Sequence, residues 1–256
     1  MSRIDSPQEK TKKITIAVML AIMVVGWIAF GRKVEGHGNP TVTVQFATGA
    51  QNKKAEEVYR NIQIFKGIPA PALANAMGFF NKSLGVECNF CHVNPWDSDD
   101  RAPKKRARVM YQMVRSISTA INDGSVTCYT CHRGKERPGK DAFTPAGWKA
   151  PETKPSENDD KPMEQVYKNI QSLKGVPAKQ LQTVMSLFAA SLGVKCDHCH
   201  VGEEFEKDDK PAKQSARKML EMVTAVGKDY YGGKGNPISC DTCHRGQLKP
   251  LSVPQK

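Results

Sequence analysis

Apolar residues fall in helical register over much of the chain. Leu73, Met77, Phe80 and Leu84 follow one another at steps of four, three and four, and Leu181, Met185, Phe188 and Leu192 repeat the series. That spacing places each set on one face of an α-helix. Pro69 and Pro177 stand just ahead of the two runs and Gly85 and Gly193 at their ends, residues that start and stop helices. Residues 101–122 and 210–230 read as second, longer helices. Little reads as strand apart from residues 41–46. The pattern predicts a mostly α protein with long irregular connections.

The same pattern occurs twice. Val58-Tyr59-Arg60-Asn61-Ile62-Gln63 returns as Val166-Tyr167-Lys168-Asn169-Ile170-Gln171, a spacing of 108 residues. Ser83-Leu84-Gly85-Val86 returns as Ser191-Leu192-Gly193-Val194, and Ala107-Arg108-Val109-Met110 as Ala216-Arg217-Lys218-Met219. A repeat this close implies a duplicated unit. The boundaries it suggests are a first half at residues 52–134, a proline-rich linker at 135–161, and a second half with its tail at 162–256. Proline at the linker's density opposes regular helix.

Ahead of the first half the pattern changes again. Residues 14–31 run without a charge, long enough for a spanning helix. Arg3, Lys10, Lys12 and Lys13 precede this run. Their charge predicts that residues 1–13 stay in the cytoplasm. No small-residue cleavage site follows, so the run is expected to remain as a transmembrane anchor in membrane lipid rather than a removed leader. Residues 32–51 then link anchor to first half, and everything beyond is expected in the periplasm.

Aromatic residues make up only 7% of the chain and mean hydropathy is −0.51, which leaves too little apolar material for a large side-chain core. Something else must be buried. All eight cysteines fall in four copies of Cys-x-x-Cys-His: Cys88, Cys91 and His92; Cys128, Cys131 and His132; Cys196, Cys199 and His200; Cys240, Cys243 and His244. That is the covalent attachment pattern of haem c, with the two thiols on the macrocycle and the histidine on the iron. Zinc knuckles use cysteine pairs too, but need no histidine after every second cysteine. Disulfides would leave the four histidines unexplained. The fold expected is therefore a tetrahaem cytochrome c of two duplicated two-haem units, with four covalently bound haem c and one N-terminal transmembrane helix.

Six histidines cannot supply two ligands to each of four irons. His37 lies in a glycine-rich segment and His198 inside its own motif, and both read as solvated. Methionine fills the gap. Met77 and Met185 each precede the first cysteine of their motif by eleven residues, at equivalent points of the repeated helix. Met110 and Met219 match each other ahead of the second motif of each half. Met113 and Met222, one turn further on, repeat as well, so spacing alone leaves the choice within each pair open. With every iron six-coordinate there is no open position for a substrate, which argues for an electron carrier and against an enzyme. A thioether ligand also raises the reduction potential.

The formal charge of +12 shrinks by roughly four to eight once haem propionates are counted. A moderately basic surface remains, suited to an acidic partner protein, such as a soluble electron donor, or to anionic lipid headgroups. The basic residues are scattered with no aromatic interleaving, which excludes a nucleic-acid binder.

Residues 58–93 and 166–201, the Ala-Arg-x-Met-x-x-Met-Val segments at Ala107 and Ala216, and residues 126–134 together resemble the tetrahaem cytochrome subunit of photosynthetic reaction centres. The resemblance covers about residues 53–247. It implies that Met77, Met110, Met185 and Met219 are the distal ligands and that the partner is a reaction-centre core whose photo-oxidised pigment the subunit re-reduces. Better-known members place a ligating histidine between second helix and second motif, but residues 122–127 contain none, so four His/Met sites are expected. A respiratory carrier between a quinol-oxidising membrane complex and a terminal acceptor would use the same relay and is the alternative. A zinc-binding module is the third reading.

Overall fold

Helices of four to 21 residues carry the chain. The computed structural model describes residues 52–139, 144–233 and 237–254, all within one compact unit. The proposed anchor at residues 14–31 and the strand-like stretch at 41–46 lie outside the described residues. Among the described residues no helix is long and apolar enough to cross a membrane, and β-structure is limited to isolated bridges.

The first half contains α1 (Ala55–Val58), α2 (Ala70–Leu84), α3 (Cys88–Cys91), α4 (Ala102–Ala120) and α5 (Cys128–His132). The second returns the order as α6 (Met163–Val166), a 3-10 turn at Ala178–Gln180 leading into α7 (Leu181–Leu192), a 3-10 turn at Cys196–His198, α8 (Pro211–Tyr231) and α9 (Cys240–His244). Pro69 caps α2 and Gly85 ends it in the left-handed conformation, φ 65°. The long helices expected at residues 101–122 and 210–230 are α4 and α8, within two residues at each end.

Each half opens with the same clasp. The Ala55 N–H donates to the Ile68 carbonyl at 2.9 Å and the Ala70 N–H to the Lys53 carbonyl at 2.8 Å. Met163 and Ala178 repeat these bonds to Val176 and Lys161, both at 2.8 Å. The Glu56 carboxylate accepts from the Gly67 N–H and the Glu164 carboxylate from the Gly175 N–H, each at 2.9 Å. This explains why Lys-Gly-Ile/Val-Pro-Ala recurs in the sequence: the glycine turns the chain back under a carboxylate and the alanine is buried.

The halves meet along α4 and α8. Met113, Ile117 and Val226 form the core cluster, with Ile121, Met222 and Tyr230 packed half-buried against it. Arg133 Nη2 donates to the Cys243 carbonyl at 3.1 Å, and Arg245 Nη2 returns the bond to the Cys131 carbonyl at 3.0 Å. The Thr127 hydroxyl donates to the Ser252 carbonyl, tying the tail to the first half. In the linker, Trp148 Nε1 donates to Ser186 Oγ on α7 at 3.3 Å. Only eight apolar side chains are buried among the described residues, in keeping with the low aromatic content.

A carboxylate in each half pins the loop that follows the first motif. Asp99 takes Arg108 Nη1 at 2.8 Å, and Asp208 takes Arg217 Nη1 at 2.8 Å. The Arg108 guanidinium holds the Asp99 carboxyl down to about 2, and Arg217 holds Asp208 well below the usual carboxylate range. A folded-state value below the unfolded one means that the contribution to stability is present above about pH 4 and is lost as pH falls toward 2. The Asp99 side chain is 31% exposed, so solvent keeps the effect small. Thermal unfolding of D99N is expected to trail the wild type at neutral pH, with the gap closing as pH falls to 2. A gap that stays constant with pH would mean that the carboxylate's charge plays no part.

Candidate haem-attachment sites

Each Cys-x-x-Cys occupies a single helical turn, three α and one 3-10. Cysteines three residues apart on such a turn share a face, as two bonds to one macrocycle require. In the second and fourth motifs the turn is locked from within. The Thr127 N–H donates to Thr130 Oγ1 at 3.0 Å, and the Ser239 N–H to Thr242 Oγ1 at 3.0 Å. Thr130 is 2% exposed and Thr242 1%. Thr127 and Ser239 are of the residue type that caps helices, a local signal for this lock just ahead of each motif. The first and third motifs have Glu87 and Lys195 at the cap instead, and their Cys88 and Cys196 are exposed.

All four motif histidines are oriented alike. Nδ1 of His92 faces the Trp96 carbonyl at 3.1 Å, that of His132 the Lys135 carbonyl at 3.0 Å, that of His200 the Phe205 carbonyl at 3.0 Å and that of His244 the Gln247 carbonyl at 3.0 Å. A proton on Nδ1 committed to a carbonyl leaves the Nε2 lone pair free for a metal. Burial lowers the pKa of His132 and His200, which favours the neutral, ligating form. Burial also pushes the Cys91, Cys128, Cys199 and Cys240 thiols up.

Beside the first motif lies a cavity of about 640 Å³, lined by Cys88, His92, Trp96 and Arg101 among others. A thiol, an oriented imidazole and a volume within the usual cofactor range fit a haem there. Between the halves, Cys131 Sγ and Cys243 Sγ stand 3.5 Å apart, so the second and fourth motifs meet side by side.

The methionines divide by environment. Met113 is 6% exposed and belongs to the α4–α8 core, with Met222 packed against it. Met77, Met110, Met185 and Met219 are half-buried. Met110 flanks the same core, and its Sδ receives the Tyr231 hydroxyl at 3.9 Å. His198 sits half-buried in its 3-10 turn, and His37 lies outside the described residues. Among the described residues no three or more His, Cys, Asp or Glu side chains converge as a zinc site needs.

Thiol pairs on helical turns, each followed by an imidazole turned by a carbonyl, on a scaffold that is mostly helical among the described residues, define a c-type cytochrome. The family model of the photosynthetic reaction centre cytochrome c subunit matches twice, over residues 32–150 and again over 140–256. The chain belongs to that family. It is 28% identical over 255 residues to the photosynthetic reaction center cytochrome c subunit of Thermochromatium tepidum, covering 80% of this chain and 63% of that protein. To the corresponding subunit of Roseobacter denitrificans it is 25% identical over 259 residues, 77% of this chain and 70% of the relative. An 81-residue stretch, 30% of the chain and 20% of the relative, is 36% identical to cytochrome c-554 of Chloroflexus aurantiacus. The chain thus spans less than two thirds of the Thermochromatium protein's length.

Proposed function

We propose that this protein is a membrane-anchored tetrahaem cytochrome that re-reduces the photo-oxidised pigment of a photosynthetic reaction centre. One observation carries the reading: the family match falls on both halves, and each half holds two complete attachment motifs. The chain is then a duplicated pair of two-haem units, divided at the proline-rich linker. Residues 14–31 anchor it, with the amino terminus inside and the haem-bearing part in the periplasm.

The eight motif cysteines would hold four haem c, with His92, His132, His200 and His244 as proximal ligands. Met77, Met110, Met185 and Met219 would be the distal ligands. Met113 is buried in the α4–α8 core, which favours Met110 one turn earlier, and the repeat carries the same choice to Met219. Haem iron held between imidazole and thioether exchanges single electrons at a raised potential and keeps no open site. The protein's own part is to orient the imidazoles, exclude water and join the halves. The Cys131–Cys243 contact supports the last role, because there the attachment sites of the two halves touch.

Flash excitation of membranes from the host is expected to oxidise c-type haem while the pigment is re-reduced. Pigment re-reduction at an unchanged rate in a strain lacking this chain would return the protein to the respiratory alternative. The basic balance of the chain, 38 Lys and Arg against 26 Asp and Glu, supports docking of an acidic soluble donor. Stopped-flow association with such a donor is expected to slow as salt rises. A rate flat in ionic strength would remove charge steering from the account.

A further inference from the structure

Two nearly buried lysines are unused by the haem-holding scheme. The Lys104 side chain is 12% exposed and that of Lys213 11%. A buried ammonium is costly unless it is paired and hydrogen-bonded, so what it touches matters. Lys104 Nζ donates to the Trp96 carbonyl at 2.9 Å and the Ser98 carbonyl at 2.7 Å. Lys213 Nζ donates to the Phe205 carbonyl at 2.8 Å and the Lys207 carbonyl at 2.7 Å. The Trp96 and Phe205 carbonyls are also the partners of His92 and His200 Nδ1. In both halves one oxygen therefore serves the proximal imidazole of the first motif and a buried cation at once. His132 and His244 meet the Lys135 and Gln247 carbonyls instead, and no lysine or arginine donates to those two oxygens among the described residues. Arg133 and Arg245 lie near the second and fourth motifs but donate to other carbonyls.

We propose that Lys104 and Lys213 are positioning residues that raise the reduction potentials of the haems at the first and third motifs by holding a cation on the carbonyl that receives the proximal histidine's N–H. The proposal rests on the haem reading of those motifs. Two effects of the same sign support it. A carbonyl accepting the Nδ1–H makes the imidazole a stronger donor to iron, which favours the ferric state. An ammonium on the same oxygen draws off its electron density, so the ring gives less to the metal. The charge itself also opposes the extra positive charge of ferric iron. Asp99 lies 3.6 Å from Lys104 Nζ and Asp208 3.0 Å from Lys213 Nζ, but each carboxylate is also neutralised by Arg108 or Arg217 at 2.8 Å. Each cluster keeps one net positive charge, and its basic side chains are 16% exposed or less, so salt screens it weakly.

The test is a potentiometric titration of the full-length holoprotein carrying K104M or K213M, in which the apolar stem remains and the charge is gone. Each variant is expected to lower the midpoint of one haem, a different one in each case, by roughly threefold to tenfold in its reduction equilibrium, about 59 mV per tenfold for one electron. The other three midpoints are expected to hold. M77L and M185L, whose haems should change spectrum, mark which titration step belongs to which motif. K104R and K213R keep the charge but move it, and are expected to give smaller shifts of the same sign. They also supply the measurement if a methionine variant fails to mature. Unchanged midpoints in all these lysine variants, with only the melting temperature lowered, would reduce the lysines to loop staples and overturn the proposal. A wild-type haem count below four, with the first or third motif's thiols free, would instead sink the haem reading beneath it.

Discussion

Replacing Gly85 or Gly193 with alanine is expected to be among the most damaging single changes in this protein. A Cβ on Gly85 would lie 2.1 Å from the Gly134 carbonyl oxygen, and one on Gly193 2.1 Å from that of Gly246. Both obstacles are backbone, so no side chain can swing aside. The close approach exists because the end of α2 docks on the end of α5. The Gly134 N–H donates to the Ser83 carbonyl at 2.9 Å, and the Gly246 N–H to the Ser191 carbonyl at 2.7 Å. Ser83 and Ser191, almost fully buried, are small enough to allow it. Alanine would have to break that bond, push apart the helix and the haem-attachment turn, and hold φ near +65°. A loss above about 4 kcal/mol is expected, read as incomplete haem incorporation or a collapsed denaturation midpoint. Gly67 and Gly175 are the controls. Their φ is also positive, but nothing lies within 4 Å of an added Cβ. Alanine there should cost only the left-handed backbone penalty of about 1–2 kcal/mol. Equal losses at all four positions would show that conformation alone, and not the docking contact, sets the requirement for glycine.

The second large effect concerns the methionines. M77L, M110L, M185L and M219L each keep an apolar side chain of similar volume, so packing alone predicts less than about 1.5 kcal/mol and no optical change. As iron ligands, each should instead alter one haem of four, leaving it five-coordinate or with a new ligand at a changed potential. M113L is the internal control, since Met113 is in the α4–α8 core, and only its stability should respond. Visible spectra and redox titrations of the five variants decide the matter. Unaltered haem spectra in all four ligand variants would remove the His/Met assignment and with it the main support for a high-potential donor. A spectral change in M113L with none in M110L would move the ligand by one turn.

Much of this protein could be read from local sequence. The steps of three and four, the prolines and the glycines set α2, α4, α7 and α8 because helix periodicity and capping are properties of neighbouring residues. The four motifs announced haem attachment because both thiols and the histidine must come from one turn. The repeat gave the two halves, and the repeated Ser-Leu-Gly-Val was visible without its meaning. Tertiary structure supplied that meaning, since the partner of Gly85 is Gly134, 49 residues away, and that of Gly193 is Gly246.

Other assignments had no local signal at all. Met110 and Met113 are one turn apart with the same residue type and the same repeat, and only the packing of α4 against α8 places Met113 in the core. The crossed arginine bonds and the 3.5 Å approach of Cys131 to Cys243 join residues more than 100 positions apart. No periodicity or motif records such a distance. Nothing local singles out Lys104 and Lys213, which meet their carbonyls only where the loops after the first and third motifs fold over them. The sequence by itself thus determined the main helices and the thiol–histidine motifs, each written in short-range spacing, and carried a visible internal repeat. Which methionine packs, where the halves touch and which carbonyl receives a buried cation were decided by the fold, because burial and long-range contact depend on how separate segments pack.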